Sequence, residues 1–384
     1  MTPPSQLLSC FAVVTPGLEP FAIAEAKALG INAVAEPGGF AWQGTAESAL
    51  VANVGLRIAS RVLVRLASFE ARSFAELERH ARKVEWARVI APGESVRFRV
   101  TCKKSKLYHS DAVAQRLADA VKRALPGVRA EGASVGEDDA DEVAEDAALI
   151  VVRVMRDRCT VSADSSGALL HRRGYRLAST KAPLRETIAA GMLAAAEWDL
   201  VSPLVDPLCG SGTIPIEAAL LSRGVQPGAH RTFAMERWPA TPAGLGEVVR
   251  GRDTGRSEAT SATIVASDRD TGAIAAATEN ATRAGMQEHI SFAIHSLSAA
   301  TFPRASKGWV VTNPPYGVRV GEADRVRDLW AQLGNVLRER ASGWRLALLS
   351  PDAALERQLR LPLRAAASLS NGGIPVRIMV GDVG

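Results

Sequence analysis

The sequence predicts an α/β protein: a doubly wound, Rossmann-like sheet in its second half, preceded by smaller α+β modules. Three observations carry that reading. From about residue 183, apolar strands and helices alternate regularly; a glycine-rich turn follows the first of those strands; and before residue 165 short strands and helices mix without that rhythm. At 384 residues the chain exceeds what one hydrophobic core usually covers, so two or three domains are expected.

In order, "LLSCFAVVTPG" reads as a strand ending in a Pro-Gly turn, and "LEPFAIAEAKALG" as a helix closed by Gly30. "GGFAWQG" and "ASRVLVRLASF" are strand-like. "SFAELERHARKVEWARVI" has a helical period with Ser73 as N-cap, "SVRFRVTCKKS" alternates like a strand, and "SDAVAQRLADAVKRAL" is an amphipathic helix. "ALIVVRVMRDRCTVSAD" reads as two strands around a tight Arg-Asp-Arg turn. The later rhythm runs helix "PLRETIAAGMLAAAEW", strand "PLVDP", helix "IPIEAALLS", strand "ATIVASD", helix "GAIAAATENATRAG" and strand "ISFAIH". Strand "GWVVTNPP", helix "ADRVRDLWAQLGNVLRER", strand "WRLALLS" and a last strand "IPVRIMVGD" complete it. Such a sheet is expected to be parallel. Residues 223–262 interrupt the rhythm and read as an inserted cap or flap; acidic residues 136–147 read as a loop or short surface helix.

Composition is that of a globular protein: 47% hydrophobic and 23% charged. No apolar run approaches transmembrane length and no export signal is read, so a cytoplasmic protein without a membrane partner is expected. Cys10, Cys102, Cys159 and Cys209 are mutually isolated, which supports neither a zinc site nor a disulfide frame; no metal is expected. Net charge is only +5, yet residues 57–130 hold seventeen Lys/Arg against seven Asp/Glu. That surplus suits a polyanion such as RNA or DNA, the alternative being a solvated Arg-rich face.

"DPLCGSGT" (206–213) joins the first strand of the later half to a helix. Gly210 and Gly212 permit a tight turn and close backbone approach to a ligand, and the helix start behind them offers free N–H groups. The absence of G-K-[ST] argues against a nucleoside triphosphate, and Pro215 falls where a dinucleotide fold has its third glycine. A ligand with a carboxylate, an amino group and a ribose fits. The second strand ends in "SDRD" (267–270), where Asp268 is placed to accept ribose hydroxyls and Asp270 to cap the next helix.

"VVTNPPYG" (310–317) ends a strand with an amide, two locked prolines and an aromatic ring. If the ligand is S-adenosylmethionine, the acceptor could be a planar amine on a nucleobase or amide, whose lone pair is delocalised. Two fixed carbonyls, from the Asn313 side chain and the Pro314 backbone, would hydrogen-bond its N–H groups and favour a pyramidal nitrogen; Pro315 stiffens the pair. Tyr316 offers a face on which a base stacks. The bland alternative is a rigid turn with a core tyrosine.

With these residues in hand, the whole chain resembles the THUMP-domain RNA guanine-N2 methyltransferases, which include the N-terminal half of the bacterial large-subunit rRNA enzyme and the tRNA acceptor-stem enzymes. "TPGLE" (15–19), "SADSSGALLHRRGYR" (162–176), "APLRETIAAGML" (182–193), "QPGAHRTFAMERW" (226–238) and the two motifs above carry the resemblance. It implies a ferredoxin-like module over 1–60, a THUMP RNA-binding domain over 61–165, a linker over 166–182 and a methyltransferase domain over 183–384. It implies S-adenosylmethionine as cofactor, held by Asp206, Pro207, Cys209, Gly210, Ser211, Gly212, Thr213, Asp268, Arg269, Ser296, Asn313, Arg185, Glu186 and Thr187. Catalysis would fall to Asn313, Pro314, Pro315 and Tyr316. RNA contact would fall to Lys103, Lys104, Lys106, His171, Arg172, Arg173, Arg176 and Arg319. The implied product is N2-methylguanosine in structured RNA, 23S rRNA being favoured over tRNA; the alternatives are a DNA adenine-N6 or protein glutamine methyltransferase, or a non-catalytic RNA-binding factor. Where the family often has Asp after the third strand, this chain has His295 and Ser296. Cys209 is expected only to pack.

Overall fold

The computed structural model describes residues 7–134, 147–177, 184–252, 262–316 and 323–384. The acidic stretch 136–146 and Arg319 lie outside them. The chain divides into two compact units. One comprises Met1–Val13, Ala26–Leu170 and Arg231–Arg252; the other comprises Val14–Glu25, His171–His230 and Asp253–Gly384.

The first unit is built on β1 (Leu8–Val14), α1 (Glu19–Ala28, shared between units), β2 (Val34–Glu36), β3 (Gly39–Gly44), α2 (Ala46–Gly55), β4 (Ala59–Glu70), α3 (Phe74–Ala81), β5 (Ser95–Lys103), α4 (Ser110–Ala124), β6 (Arg129–Ser134), β7 (Ala147–Met155) and β8 (Arg158–Asp164). Its eight strands form one sheet in the order β2-β3-β1-β4-β8-β7-β5-β6. Local chemistry explains several boundaries. Ser73 caps α3 by accepting the Glu76 N–H, and α4 buries Val113, Leu117 and Val121 while exposing its charged face. Arg156 and Asp157 both take positive φ between β7 and β8, the two-residue turn that matches strand twist. β2 and β6, short and largely exposed, leave little periodic signal in the sequence.

The inserted region departs from the expectation of a cap. Residues 231–252 belong to the first unit, where Phe233, Met235 and Trp238 are buried and the Met235 N–H donates to Ser165 O at 3.1 Å. Three large apolar side chains make this segment a core anchor rather than a solvent-facing flap.

The later elements are α5 (Glu186–Ala195), β9 (Leu204–Asp206), α6 (Thr213–Ser222), α7 (Leu245–Arg250, in the returning segment of the first unit), β10 (Ile264–Asp268), α8 (Thr271–Arg283), β11 (Ile290–Ile294), β12 (Trp309–Thr312), α9 (Ala323–Arg340), β13 (Arg345–Ser350), α10 (Ala353–Leu359), β14 (Arg364–Asn371) and β15 (Ile374–Asp382). The second unit's sheet has the order β11-β10-β9-β12-β13-β15-β14. Strands β9 to β13 pair in parallel, as expected. The end of the sheet does not: β15 pairs antiparallel with both β13 and β14. The cause is the two-residue turn Gly372-Gly373, with φ of 58° and 83°, which can only close a hairpin. A core of Trp330, Leu333, Leu337, Trp344, Leu346 and Leu348 packs α9 on the sheet. Strand order reverses between β9 and β12, so the crevice at their carboxyl ends is the expected ligand position of this fold. Among the described residues no helix is long and apolar enough to cross a membrane.

Candidate active site

Asp206 ends β9 in full burial. Its Oδ1 accepts from Thr312 Oγ1 at 2.7 Å and from the Leu208 N–H at 3.2 Å. Burial pushes its carboxyl up to about 7, against the pull of those two hydrogen bonds. The carboxyl thus ties the end of β9 to the end of β12, across the reversal of strand order.

The glycine turn that follows is fastened on several sides. The Cys209 N–H donates to Ser267 O at 3.0 Å, and the Gly210 N–H to Asp268 Oδ2 at 3.0 Å. Asn280 Nδ2 on α8 donates to Ser211 O at 3.1 Å. Gly212 caps α6 with φ of 83°, and a Cβ there would lie 2.9 Å from that of Ala277, so glycine is required both by conformation and by helix packing. Thr213 opens α6 in burial. Cys209 is buried and its thiol is pushed well above its usual range by burial, as befits packing.

Asp268 ends β10, half-buried, with Oδ1 accepting the Asp270 N–H at 3.0 Å and Oδ2 that of Gly210. Two backbone donors fix its orientation, and each oxygen keeps a lone pair for a further donor. Asp270 caps α8, accepting from the Gly272 and Ala273 N–H groups. Arg269 and Ser296 are exposed; Ser296 Oγ lies 3.1 Å from Ser298 Oγ, and the His295 N–H donates to Asp268 O at 3.0 Å.

Asn313 follows β12 directly, half-buried. Its carbonyl is engaged: the Tyr316 hydroxyl donates to Asn313 Oδ1 at 2.6 Å. Trp330 Nε1 donates to Pro315 O at 3.2 Å, so α9 braces the proline pair, of which Pro314 is buried and Pro315 exposed. Asn371 Nδ2 lies 3.5 Å from the Tyr316 oxygen, and burial pushes that phenol up to about 12. Tyr316 was expected as a stacking face alone; the structure adds a hydroxyl turned back on the amide.

The basic linker departs most from expectation. His171 and Arg173 are buried rather than presented to phosphate, because Arg173 Nε pairs with Glu217 Oε1 at 3.4 Å in side chains 2% and 0% exposed. The Tyr175 hydroxyl donates to the same Glu217 oxygen at 3.1 Å. Burial amid four arginines drives His171 down to about 3, so it is neutral. Arg176 is likewise committed, donating to Glu186 Oε2 and Leu184 O, both at 2.8 Å. Glu186, expected in the cofactor pocket, turns to Arg176 in burial that raises it to about 7. Thr187 is buried, while Arg172 and Arg185 stay exposed. Glu217, Asn280, Trp330 and Asn371 carry no motif; for Glu217 and Asn280 a polar residue buried on a helix is the sequence signal, and Thr312 stands inside the strand-end motif with no role read for it.

In the first unit Lys103, the last residue of β5, and Lys104 and Lys106 just after it are exposed. The Lys106 N–H donates to Asp157 Oδ1 at 2.8 Å and the Arg156 N–H to Lys103 O at 3.2 Å, which fixes the loop to the β7–β8 turn. Among the described residues no group of three His, Cys, Asp or Glu could hold a metal.

Residues 173–378 match the RMKL-like methyltransferase domain, residues 9–63 the RlmL ferredoxin-like domain and residues 71–164 the THUMP domain. The ribosomal RNA large subunit methyltransferase K/L of Syntrophotalea carbinolica is 34% identical over 97% of this chain and 53% of its own length, so this chain spans about half of that relative. A Synechocystis protein named "Putative RNA methyltransferase slr0064" is 32% identical over 96% of this chain and 95% of its own. The crystal structure of SMU.472 complexed with SAH superposes with a TM-score of 0.85 at 26% identity, covering 99% of each chain.

Proposed function

The chain belongs to the RMKL-like methyltransferases, and on that premise we propose that it methylates the exocyclic N2 of a guanosine in structured RNA, with S-adenosylmethionine as donor. Large-subunit ribosomal RNA is the favoured substrate. The observation that carries the reading is the position of Asn313, a neutral amide braced by two prolines at the carboxyl end of β12, one strand from the glycine turn.

The residues present suit the donor molecule. Asp268, aimed by the Gly210 and Asp270 N–H groups, retains lone pairs for two ribose hydroxyls. The turn Pro207–Thr213 supplies a close backbone approach at the start of α6, and the reading assigns Arg185, Arg269 and Ser296, all exposed, to the same ligand. The donor supplies a methyl group bonded to a cationic sulfur. Asn313 Oδ1 and the Pro314 carbonyl hold the two N–H groups of the guanine amine, which favours a pyramidal nitrogen with its lone pair directed at the methyl. No carboxylate base is called for, since the nitrogen becomes acidic only after transfer. Tyr316 stacks on the base.

In this reading residues 1–60 form the ferredoxin-like module, 61–165 the THUMP domain, 166–182 the linker and 183–384 the catalytic domain. Lys103, Lys104 and Lys106 meet RNA phosphates, joined by Arg172; His171, Arg173 and Arg176 serve the fold instead. The test is transfer of labelled methyl to separate ribosomal RNA, tRNA, DNA and protein fractions, followed by nucleoside analysis. Label in N2-methylguanosine of large-subunit RNA is expected. Label in tRNA moves the substrate; label only in DNA or protein overturns the reading.

A further inference from the structure

The hairpin β14–β15 reaches beyond the carboxyl edge of the parallel strands. Ser350, the last residue of β13, pairs with Arg377, leaving Ile374 to Val376 and their partners Leu369 to Asn371 to extend past it. Three residues of strand reach about 10 Å. Asn371, last before the Gly372-Gly373 turn, thereby comes 3.5 Å from the Tyr316 hydroxyl. That hydroxyl donates at 2.6 Å to Asn313 Oδ1, the acceptor that the proposed reaction assigns to the guanine amine.

We propose that Tyr316 occupies the amide acceptor in the resting enzyme, and that Asn371 is a positioning residue that receives the hydroxyl when the target base displaces it. The idea rests on the function proposed above and names a residue of the same site. The chemistry of an amide suits the task. In the resting arrangement Asn371 Nδ2 donates to the phenol oxygen, whose proton is on Asn313. Once an amine N–H takes the Asn313 carbonyl, the phenol proton needs another acceptor in a half-buried site, and Asn371 carries a carbonyl on the same side chain. A target without an N–H donor cannot exchange with the hydroxyl, so the pair selects for amines.

The experiment uses the full chain with 3-fluorotyrosine. The sequence has three tyrosines, so three fluorine resonances arise, and Tyr316→Phe assigns one. In the free protein Asn371→Ala should shift that resonance alone; an unmoved resonance overturns the contact whether or not RNA is a substrate. Methyl-transfer kinetics then separate the roles. Tyr316→Phe keeps the ring and removes the competing donor, so KM for RNA should fall about 2- to 10-fold, the worth of one neutral hydrogen bond. Asn371→Ala should raise KM by a similar factor with Tyr316 present and have no effect in the Tyr316→Phe background. An equal loss in both backgrounds makes Asn371 a hairpin residue only and overturns the proposal. If no fraction is methylated by the parent enzyme, the functional reading fails, while the fluorine result still decides the contact.

Discussion

Thr312 Oγ1 donates to Asp206 Oδ1 at 2.7 Å, joining the last residues of β12 and β9 across the reversal of strand order. The acceptor is a buried carboxyl pushed up to about 7. A native carboxyl that holds its proton to higher pH than the unfolded chain contributes stability that is complete below the unfolded value near 4. That contribution is lost as pH rises through the folded value. Asp206→Asn keeps an acceptor for Thr312 and removes the titration. Between pH 4 and 7 the variant's unfolding free energy should therefore fall less with pH than the parent's, by on the order of 1 kcal/mol per pH unit. Denaturant titration at several pH values reads the difference, and parallel curves would show that Asp206 is ionised in the fold.

Gly17 has φ of 97°, and a Cβ on it would lie 2.0 Å from Ser368 O on β14. Gly17→Ala combines an unfavourable backbone with a collision against a main-chain carbonyl that cannot swing aside. Destabilisation well above about 1 kcal/mol is expected, readable as a lower Tm of the second unit. An unchanged Tm would mean that this turn is free to move off β14.

What could be read from the sequence was chemistry confined to a few adjacent residues. Ser73 and Asp270 as caps, the glycine turn, and the amide–proline–proline–tyrosine run each carry their reason within four positions. Pairings across long separations were opaque. Arg173 reads as a phosphate ligand until Glu217, 44 residues on, neutralises it in the interior. Phe233, Met235 and Trp238 likewise read as an insert because nothing nearby in sequence says which core they fill. The antiparallel end of the second sheet was signalled by Asn371-Gly372-Gly373, yet the small residues before it in β14 hid the strand.

Asn313→Ala removes an oriented acceptor while sparing the prolines and the Trp330 contact to Pro315. The proposed mechanism places this acceptor in the transition state, so kcat should drop on the order of 100-fold or more with KM for S-adenosylmethionine little changed. Full methyl transfer by this variant would remove the amide from the chemistry.

Arg173 and Glu217 form an ion pair in side chains almost wholly buried. Removing Glu217 takes away a buried carboxylate that both Arg173 and the Tyr175 hydroxyl use, so Glu217→Leu should cost about 3–5 kcal/mol of stability, whereas Glu217→Leu with Arg173→Met should recover part of it. Chemical denaturation of both variants checks this. Recovery with unchanged RNA affinity marks the pair as structural; an affinity loss that follows Arg173 alone would restore it as a phosphate contact.

Lys103, at the end of β5, and Lys104 and Lys106, in the loop that Asp157 pins at Lys106, are exposed within a stretch that carries ten more basic than acidic residues between positions 57 and 130. Lysines held on a fixed loop can meet phosphates without first ordering the chain, and each contact releases condensed counterions. Changing all three to alanine should weaken RNA binding at low salt and reduce the slope of log affinity against log salt by about 0.7–0.9 for every lysine that contacts a phosphate. The three side chains are solvent-exposed, so stability should be unaltered within about 0.5 kcal/mol. A salt slope identical to the parent's would place the RNA on another face of this unit, whereas a slope change without loss of methyl transfer at saturating RNA would confine these lysines to docking.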